Sequence, residues 1–218
     1  DRSQNILTIE DPVEYALEGI GQTQVNNKTG LTFAKGLRAV LRQDPDIVMV
    51  GEIRDKETAE IAIQASLTGH LVLSTVHTNS AVNAITRLRD MGIEPYLLSS
   101  SLIYVLSQRL VRRLCEKCKV LDEEINKTNL LEKHQLDGEV YKANGCTECD
   151  KTGFKGRLSI GEFVSIDDQV SELIHNSSSE NEISDYVYKD NNKIFENGLI
   201  ALANGDTSMS ELMRVTED

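Results

Sequence analysis

The sequence predicts an α/β fold built on a parallel sheet, and three observations carry that prediction. Asp46-Ile47-Val48-Met49-Val50-Gly51-Glu52 sets an unbroken apolar run against a glycine and a carboxylate, the pattern of a strand buried on both faces of a parallel sheet. Residues 5–11 and 70–79 repeat that layout, apolar first and polar or acidic after. Between the runs lie stretches with helical spacing and helix-start residues, so strand and helix alternate along the chain, as crossover connections between parallel strands require.

Taken in order, Ile6-Leu7-Thr8-Ile9 reads as the first strand, closed by Glu10-Asp11-Pro12 because proline cannot extend a ladder. Residues 21–27 read as a short polar strand and turn. Thr32 is placed to cap a helix that buries Phe33, Leu37, Val40 and Leu41. Lys35, Arg38 and Arg42 share another face of it, which reads as solvated or as a subunit contact. The run at 46–51 is the central strand. Asp55 then caps a helix through Thr68 whose Ala59, Ile61, Ala62, Ile63 and Ala65 leave little polar surface, so that helix is expected to be sandwiched, with Gly69 ending it. Residues 70–79 read as another buried strand, followed by a helix lining up Ala81, Ala84, Ile85 and Leu88. Residues 97–110 are expected to be helical and to lead through Arg109, Arg112 and Arg113 to Cys115. Residues 157–166 read as strand, and 167–218 as three or four short amphipathic helices around Leu173, Ile174, Ile183, Leu199, Leu202, Leu212 and Met213.

With 218 residues, the chain suits one large domain, or one domain with an appendage, burying roughly 70% of its unfolded surface. Lys and Arg number 23 against 35 Asp and Glu, a net charge of −12 that argues against nucleic acid as the main partner. No stretch approaches the roughly 18 consecutive apolar residues of a membrane span, and the N-terminus lacks the basic-then-apolar layout of a signal peptide, so a soluble, cytosolic chain is expected. Asp1 stands where an initiator Met would, so the sequence reads as cut from something longer.

Cys115-Glu-Lys-Cys118 and Cys146-Thr-Glu-Cys149 bracket a charged insertion, residues 119–145. Two C-x-x-C knuckles can wrap a tetrahedral cation with four thiolates and leave no open position, so the expected metal is a structural Zn²⁺. Its removal is expected to unfold residues 115–149 selectively. Lys117, Lys119, Lys142 and Lys151 are close enough in sequence to offset the sulfur charge. A disulfide pair does not suit a reducing compartment, and a thioredoxin-type site lacks the helix that would begin at either pair.

Glu10, Asp11 and Glu52 follow two apolar strands, and in open α/β sheets the carboxyl edge of the strands is where ligands bind. An apolar strand delivering a carboxylate to Mg²⁺ and to an attacking water is the logic of a Walker B strand. The alternatives are a helix-capping role for Glu52, an ordered turn at Pro12 for Glu10, and for His77 a packed, hydrogen-bonded histidine instead of a phosphate contact.

Ile9-Glu-Asp-Pro-Val-Glu14, Gly21-Gln-Thr-Gln-Val-Asn26, Leu41-Arg-Gln-Asp-Pro-Asp46, Val50-Gly-Glu-Ile-Arg-Asp55 and Thr68-Gly-His-Leu-Val-Leu-Ser-Thr-Val-His-Thr-Asn79 resemble the secretion ATPases that power type II secretion and type IV pilus assembly. Arg87-Leu-Arg-Asp-Met-Gly-Ile-Glu-Pro95, Gln108-Arg-Leu-Val-Arg-Arg-Leu-Cys115 and the four cysteines resemble the type II branch most closely. The resemblance implies a RecA-like ATPase core over residues 1–114, a tetracysteine zinc lobe at 115–149, and a strand and helical region at 150–218. It implies Glu10 and Asp11 in the family's aspartate box, Gly51 and Glu52 in its Walker B box, and His70 and His77 in its histidine box. By the same resemblance Asp11, Glu52, His70 and His77 face ATP and Mg²⁺, with catalysis resting on Glu10, Glu52 and His77. The implied assembly is a homohexamer with nucleotide at subunit interfaces, attached to the cytoplasmic face of the bacterial inner membrane through platform proteins of the secretion machine. The phosphate-cradling G-x-x-x-x-G-K-S/T loop occurs nowhere in the 218 residues. In the family it lies just upstream of the aspartate box, so a C-terminal portion is expected, weak in nucleotide binding and inactive alone. A pilus-assembly ATPase, or a zinc-binding scaffold without hydrolysis, are the rival expectations.

Overall fold

Four short strands, Ile6–Glu10 (β1), Ile20–Gln24 (β2), Ile47–Val50 (β3) and Leu71–Ser74 (β4), form one parallel sheet in the order β2-β1-β3-β4. The computed structural model describes residues 3–216; Asp1, where the sequence reads as cut from something longer, lies outside the described residues. The register places Ile9 opposite Val50, and Val50 opposite Ser74, so all four carboxyl ends emerge along one edge. Two helices supply one cover of this sheet. Phe33–Val40 (α1) begins at Thr32, whose hydroxyl accepts from the Lys35 N–H at 3.3 Å, and Lys56–Leu67 (α2) begins at Asp55, whose carboxylate accepts from the Thr58 N–H at 2.8 Å. Both caps satisfy amides that the first turn leaves without a partner. Ile9, Leu37, Val40, Val48, Val50, Ile61 and Ala62 make the core beneath them. As expected of its composition, α2 is covered on several sides, packing against α1, β4 and Pro95–Ser101 (α4).

Two readings are corrected. Residues 70–79 do not form a buried strand: β4 spans only Leu71–Ser74 and among the described residues pairs with β3 alone, and Leu71 and Leu73 remain 45% and 50% exposed. Its apolar run reflects packing of Val72 against the core on one face, with the leucines on the other. Residues 97–110 are not one helix. After Ala81–Asp90 (α3), α4 stops at Ser101, and Tyr104–Leu114 is a strand (β5). The hydroxyls of Ser99, Ser100 and Ser101 all donate back to carbonyls of the preceding turn, competition that weakens helix continuation. Tyr104, Leu106, Gln108 and Leu110 then alternate toward solvent, the period of a half-buried strand.

The described chain divides into two compact units, residues 3–105 with 165–184, and 106–164 with 185–216. In the first, Asp168–His175 (α7) packs on α4, with the Ser171 hydroxyl donating to Ser99 O at 2.9 Å and Arg89 Nη1 donating to Ser178 O at 2.7 Å. In the second, β5 pairs with Phe154–Ser165 (β8), while Val120–Leu121 (β6), Glu123–Asn126 (α5), Leu130–Lys133 (α6) and Tyr141–Lys142 (β7) make up the cysteine-bracketed insertion. Glu180–Asp190 (α8), Ile194–Ala203 (α9) and Met209–Thr216 (α10) follow. Leu131 and Val140 of the insertion share one core with Val111, Ile160, Leu199, Leu202 and Leu212. The expected limits at 114/115 and 149/150 both fall within this unit.

Candidate functional site

The carboxyl edge of the sheet is assembled by close backbone approach. Gly51 N–H donates to Ile9 O at 2.7 Å, and a Cβ on Gly51 would lie 3.2 Å from that oxygen and 3.4 Å from both Glu10 Cα and the Phe33 ring. Glycine is what lets the ends of β1 and β3 abut. On the other side Ser74 Oγ donates to Val50 O at 2.9 Å, Thr75 Oγ1 to Gly51 O at 2.6 Å, and Ile53 N–H to Thr75 O at 2.9 Å. These bonds clip the segment after β4 to the segment after β3.

Glu52 is therefore held at the sheet edge with its side chain only 11% exposed, and its Oε2 takes Arg54 Nε at 2.5 Å and lies 3.5 Å from His77 Nε2. The Arg54 guanidinium is pushed above its ordinary range, first by the hydrogen bond to Glu52, then by the Glu52 charge, with Asp11 adding in the same sense. Asp11 thus acts on the same locality. Glu10 ends β1, and its Oε1 accepts from Thr8 Oγ1 and, at 2.9 Å, from Gln22 Nε2. Glu10, Asp11, Glu52 and His77 all emerge at this one edge. His70 does not join them. It precedes β4 at the opposite edge, where Nδ1 lies 3.0 Å from Ala65 O and 3.3 Å from Thr68 Oγ1 at the end of α2.

Sequence reasoning missed Arg54, Thr8 and Gln22 as partners of the acids. Thr8 was findable, since residues two apart on a strand share a face; the other two depend on a turn and on a cross-strand register that no periodicity reports.

The four cysteines converge. Their sulfurs lie within 4.8 Å of one another, with Cys115–Cys146 at 3.9 Å, Cys118–Cys149 at 3.8 Å and Cys146–Cys149 at 3.7 Å. A Zn–S bond of about 2.3 Å puts tetrahedral sulfurs about 3.8 Å apart, so the donor set fits zinc. Each knuckle is a tight turn, with Lys119 N–H donating to Cys115 O at 2.9 Å and Lys151 N–H to Cys146 O at 2.8 Å. Amides of Cys146 and Gly153 both donate to Cys149 Sγ at 3.2 Å and hold that thiol down at about 6. Gly153 is required there: φ is +76° and a Cβ would come 2.5 Å from Ala143 Cβ. Cys118 is pushed up to about 12, by desolvation first and then by the surrounding sulfurs. Two of the four neighbouring lysines have acidic partners: Lys119 pairs with Glu116 at 2.8 Å and donates to Gly205 O, and Lys142 lies 3.8 Å from Asp122.

A family model described as "Type II/IV secretion system protein" matches residues 1–214. Over 219 residues the chain is 55% identical to type II secretion system protein E of Aeromonas hydrophila, covering 100% of this chain and 44% of that protein. Over 220 residues it is 56% identical to the protein of the same name in Pseudomonas aeruginosa, again 100% and 44%. It therefore spans less than half the length of these relatives. Among solved structures it is similar to the pilus retraction motor PilT with bound ADP, with a TM-score of 0.71 and 26% identity over 99% of this chain and 53% of that one. The Legionella pneumophila ATPase DotB shares the fold, with a TM-score of 0.68 and 20% identity over 97% and 51%.

Proposed function

We propose, from the premise that this chain belongs to the type II/IV secretion system protein family, that it is the C-terminal portion of a hexameric ATPase driving type II protein secretion at the cytoplasmic face of the inner membrane, docked there through platform proteins. Among the described residues no helix is long and apolar enough to cross a membrane, which accords with attachment through partners. The observation that carries the reading is the gathering of Glu10, Asp11, Glu52 and His77 at one sheet edge, with Glu52 and His77 in contact.

Glu52 is assigned to Mg²⁺, a hard cation that keeps most of its waters and takes one or two carboxylates. When bound, Mg²⁺ neutralises charge on the β- and γ-oxygens of ATP. Glu10 accepts the proton of the attacking water, and His77 lies toward the γ-phosphate and reports its presence. Cys115, Cys118, Cys146 and Cys149 hold a structural zinc that takes no part in hydrolysis. The chain alone, without a phosphate-cradling loop in its 218 residues, binds nucleotide weakly.

The test measures ATP turnover against Mg²⁺ concentration in the full-length protein. Glu10→Gln should cost on the order of 10²–10⁴ in kcat while Mg·ATP still binds. Glu52→Gln should weaken Mg²⁺ dependence as well as rate. An active Glu10→Gln, or a Glu52→Gln with unaltered Mg²⁺ dependence, refutes the assignment.

A further inference from the structure

The register of β1 and β2 places Thr8 opposite Gln22 and Glu10 opposite Gln24. Thr8 and Glu10 therefore share one face of β1, and Gln22 and Gln24 one face of β2. Gln22 uses both ends of its amide. Nε2 donates to Glu10 Oε1 at 2.9 Å and to Tyr15 O at 3.0 Å, while Oε1 accepts from the Leu17 N–H at 2.7 Å. This fixes which end is which: reversing the amide would set its NH₂ against the Leu17 N–H and its oxygen against a carbonyl and a carboxylate. Gln24 fastens the same excursion at one further point, accepting from the Val13 N–H at 3.3 Å, and makes no hydrogen bond to Glu10 among the described residues.

With Thr8 and Gln22 both bonded to Oε1, that oxygen of Glu10 is committed, and Oε2 is the one with no protein donor among the described residues. A carboxylate that must accept a proton from water serves best when one oxygen is pinned and the other presented, because a positioned base depends on orientation as well as on basicity. We propose that Gln22 is a positioning residue for Glu10, a cross-strand amide that locks its rotamer and ties it to the loop over residues 11–19. This rests on the role given to Glu10 above. Gln22 touches neither water nor nucleotide in this reading and acts only through the carboxylate.

The test is a double-mutant cycle in the full-length protein, reading kcat and KM for Mg·ATP separately. Gln22→Met, similar in length and without donors, should lower kcat about 10- to 100-fold and leave KM within about twofold. Gln22→Glu keeps an acceptor for the Leu17 N–H but loses the donor to both Glu10 and Tyr15 O and sets a second carboxylate beside Glu10, so it should lower kcat likewise. Gln24→Leu, which frees the loop at Val13 alone, should stay near the wild-type rate. In a Glu10→Gln background Gln22→Met should cost nothing further, since residues acting as a unit are not additive. Multiplicative losses in the double variant, or a normal kcat in Gln22→Met beside an inactive Glu10→Gln, overturn the positioning role while sparing the role of Glu10. An active Glu10→Gln overturns both.

Discussion

Replacing Glu211 by Gln should destabilise the second unit by about 2 kcal/mol at neutral pH and by progressively less as pH falls below 4.5. The Glu211 side chain is 2% exposed and accepts four hydrogen bonds: from the Arg112 N–H at 3.0 Å, Arg112 Nη2 at 2.6 Å, Arg214 Nε at 3.1 Å and Arg214 Nη2 at 2.9 Å. Burial alone would raise its pKa, but the two arginines outweigh it and hold the carboxyl down at about 2. A folded-state value depressed from the ordinary 4.5 means stability that is fully present above the unfolded value and is lost as pH falls toward 2. At about 1.4 kcal/mol per tenfold, the full linkage is about 3 kcal/mol. The guanidinium groups are themselves about half exposed, at 52% and 54%, so solvent screening reduces it to about 2 kcal/mol, or about 4–8 °C in Tm for a chain of this size. Urea unfolding of wild type and Glu211→Gln at pH 7 and at the lowest pH at which both still hold their metal measures this. The gap is read only where metal is bound, because the second unit depends on it. A stability gap that is the same at both pH values would refute the linkage, and a gap under about 0.5 kcal/mol at pH 7 would show that the arginines rehydrate at no cost.

Elemental analysis should find one zinc per chain, and chelation or Cys146→Ser should expose the whole second unit to protease, including α9 and α10, because Leu131 and Val140 sit in their core; cleavage confined to residues 115–149 would contradict the shared core. Gly51→Ala should cost about 1–3 kcal/mol by overpacking against Ile9 O and the Phe33 ring and should impair turnover in the full-length protein more than its Tm shift explains. A normal rate would show that the approach of β1 and β3 does not position Glu52.

What could be read from the sequence was local. Thr32 and Asp55 announce helix starts because a cap is a matter of three or four residues, and the apolar runs ending at Glu10 and Glu52 announce strands of a parallel sheet, although β3 is fully buried only at Val48 and Val50. The two knuckles likewise disclosed the four cysteines whose sulfurs converge. Failures came wherever a neighbour decided. Leu71 and Leu73 look like core residues until they are found on the face of β4 opposite Val72, which alone packs on the core. Residues 104–110 have no strong preference of their own and became strand by pairing with β8. His70 shares a stretch with His77, yet the short strand between them sends the two to opposite ends. Nothing in the spacing shows that Arg54 bends back onto Glu52, or that Gln22 reaches Glu10.

The merging of the cysteine insertion with the terminal helices bears on how such a chain can change over generations or in an engineer's hands. An insertion bounded by two short cysteine signatures invites treatment as a cassette to be cut out or transplanted. Here excision would remove Leu131 and Val140 from against Leu199, Leu202 and Leu212, opening a hollow that larger side chains on the remaining elements would have to refill. A chimaera that swaps the insertion should therefore swap α9 and α10 with it.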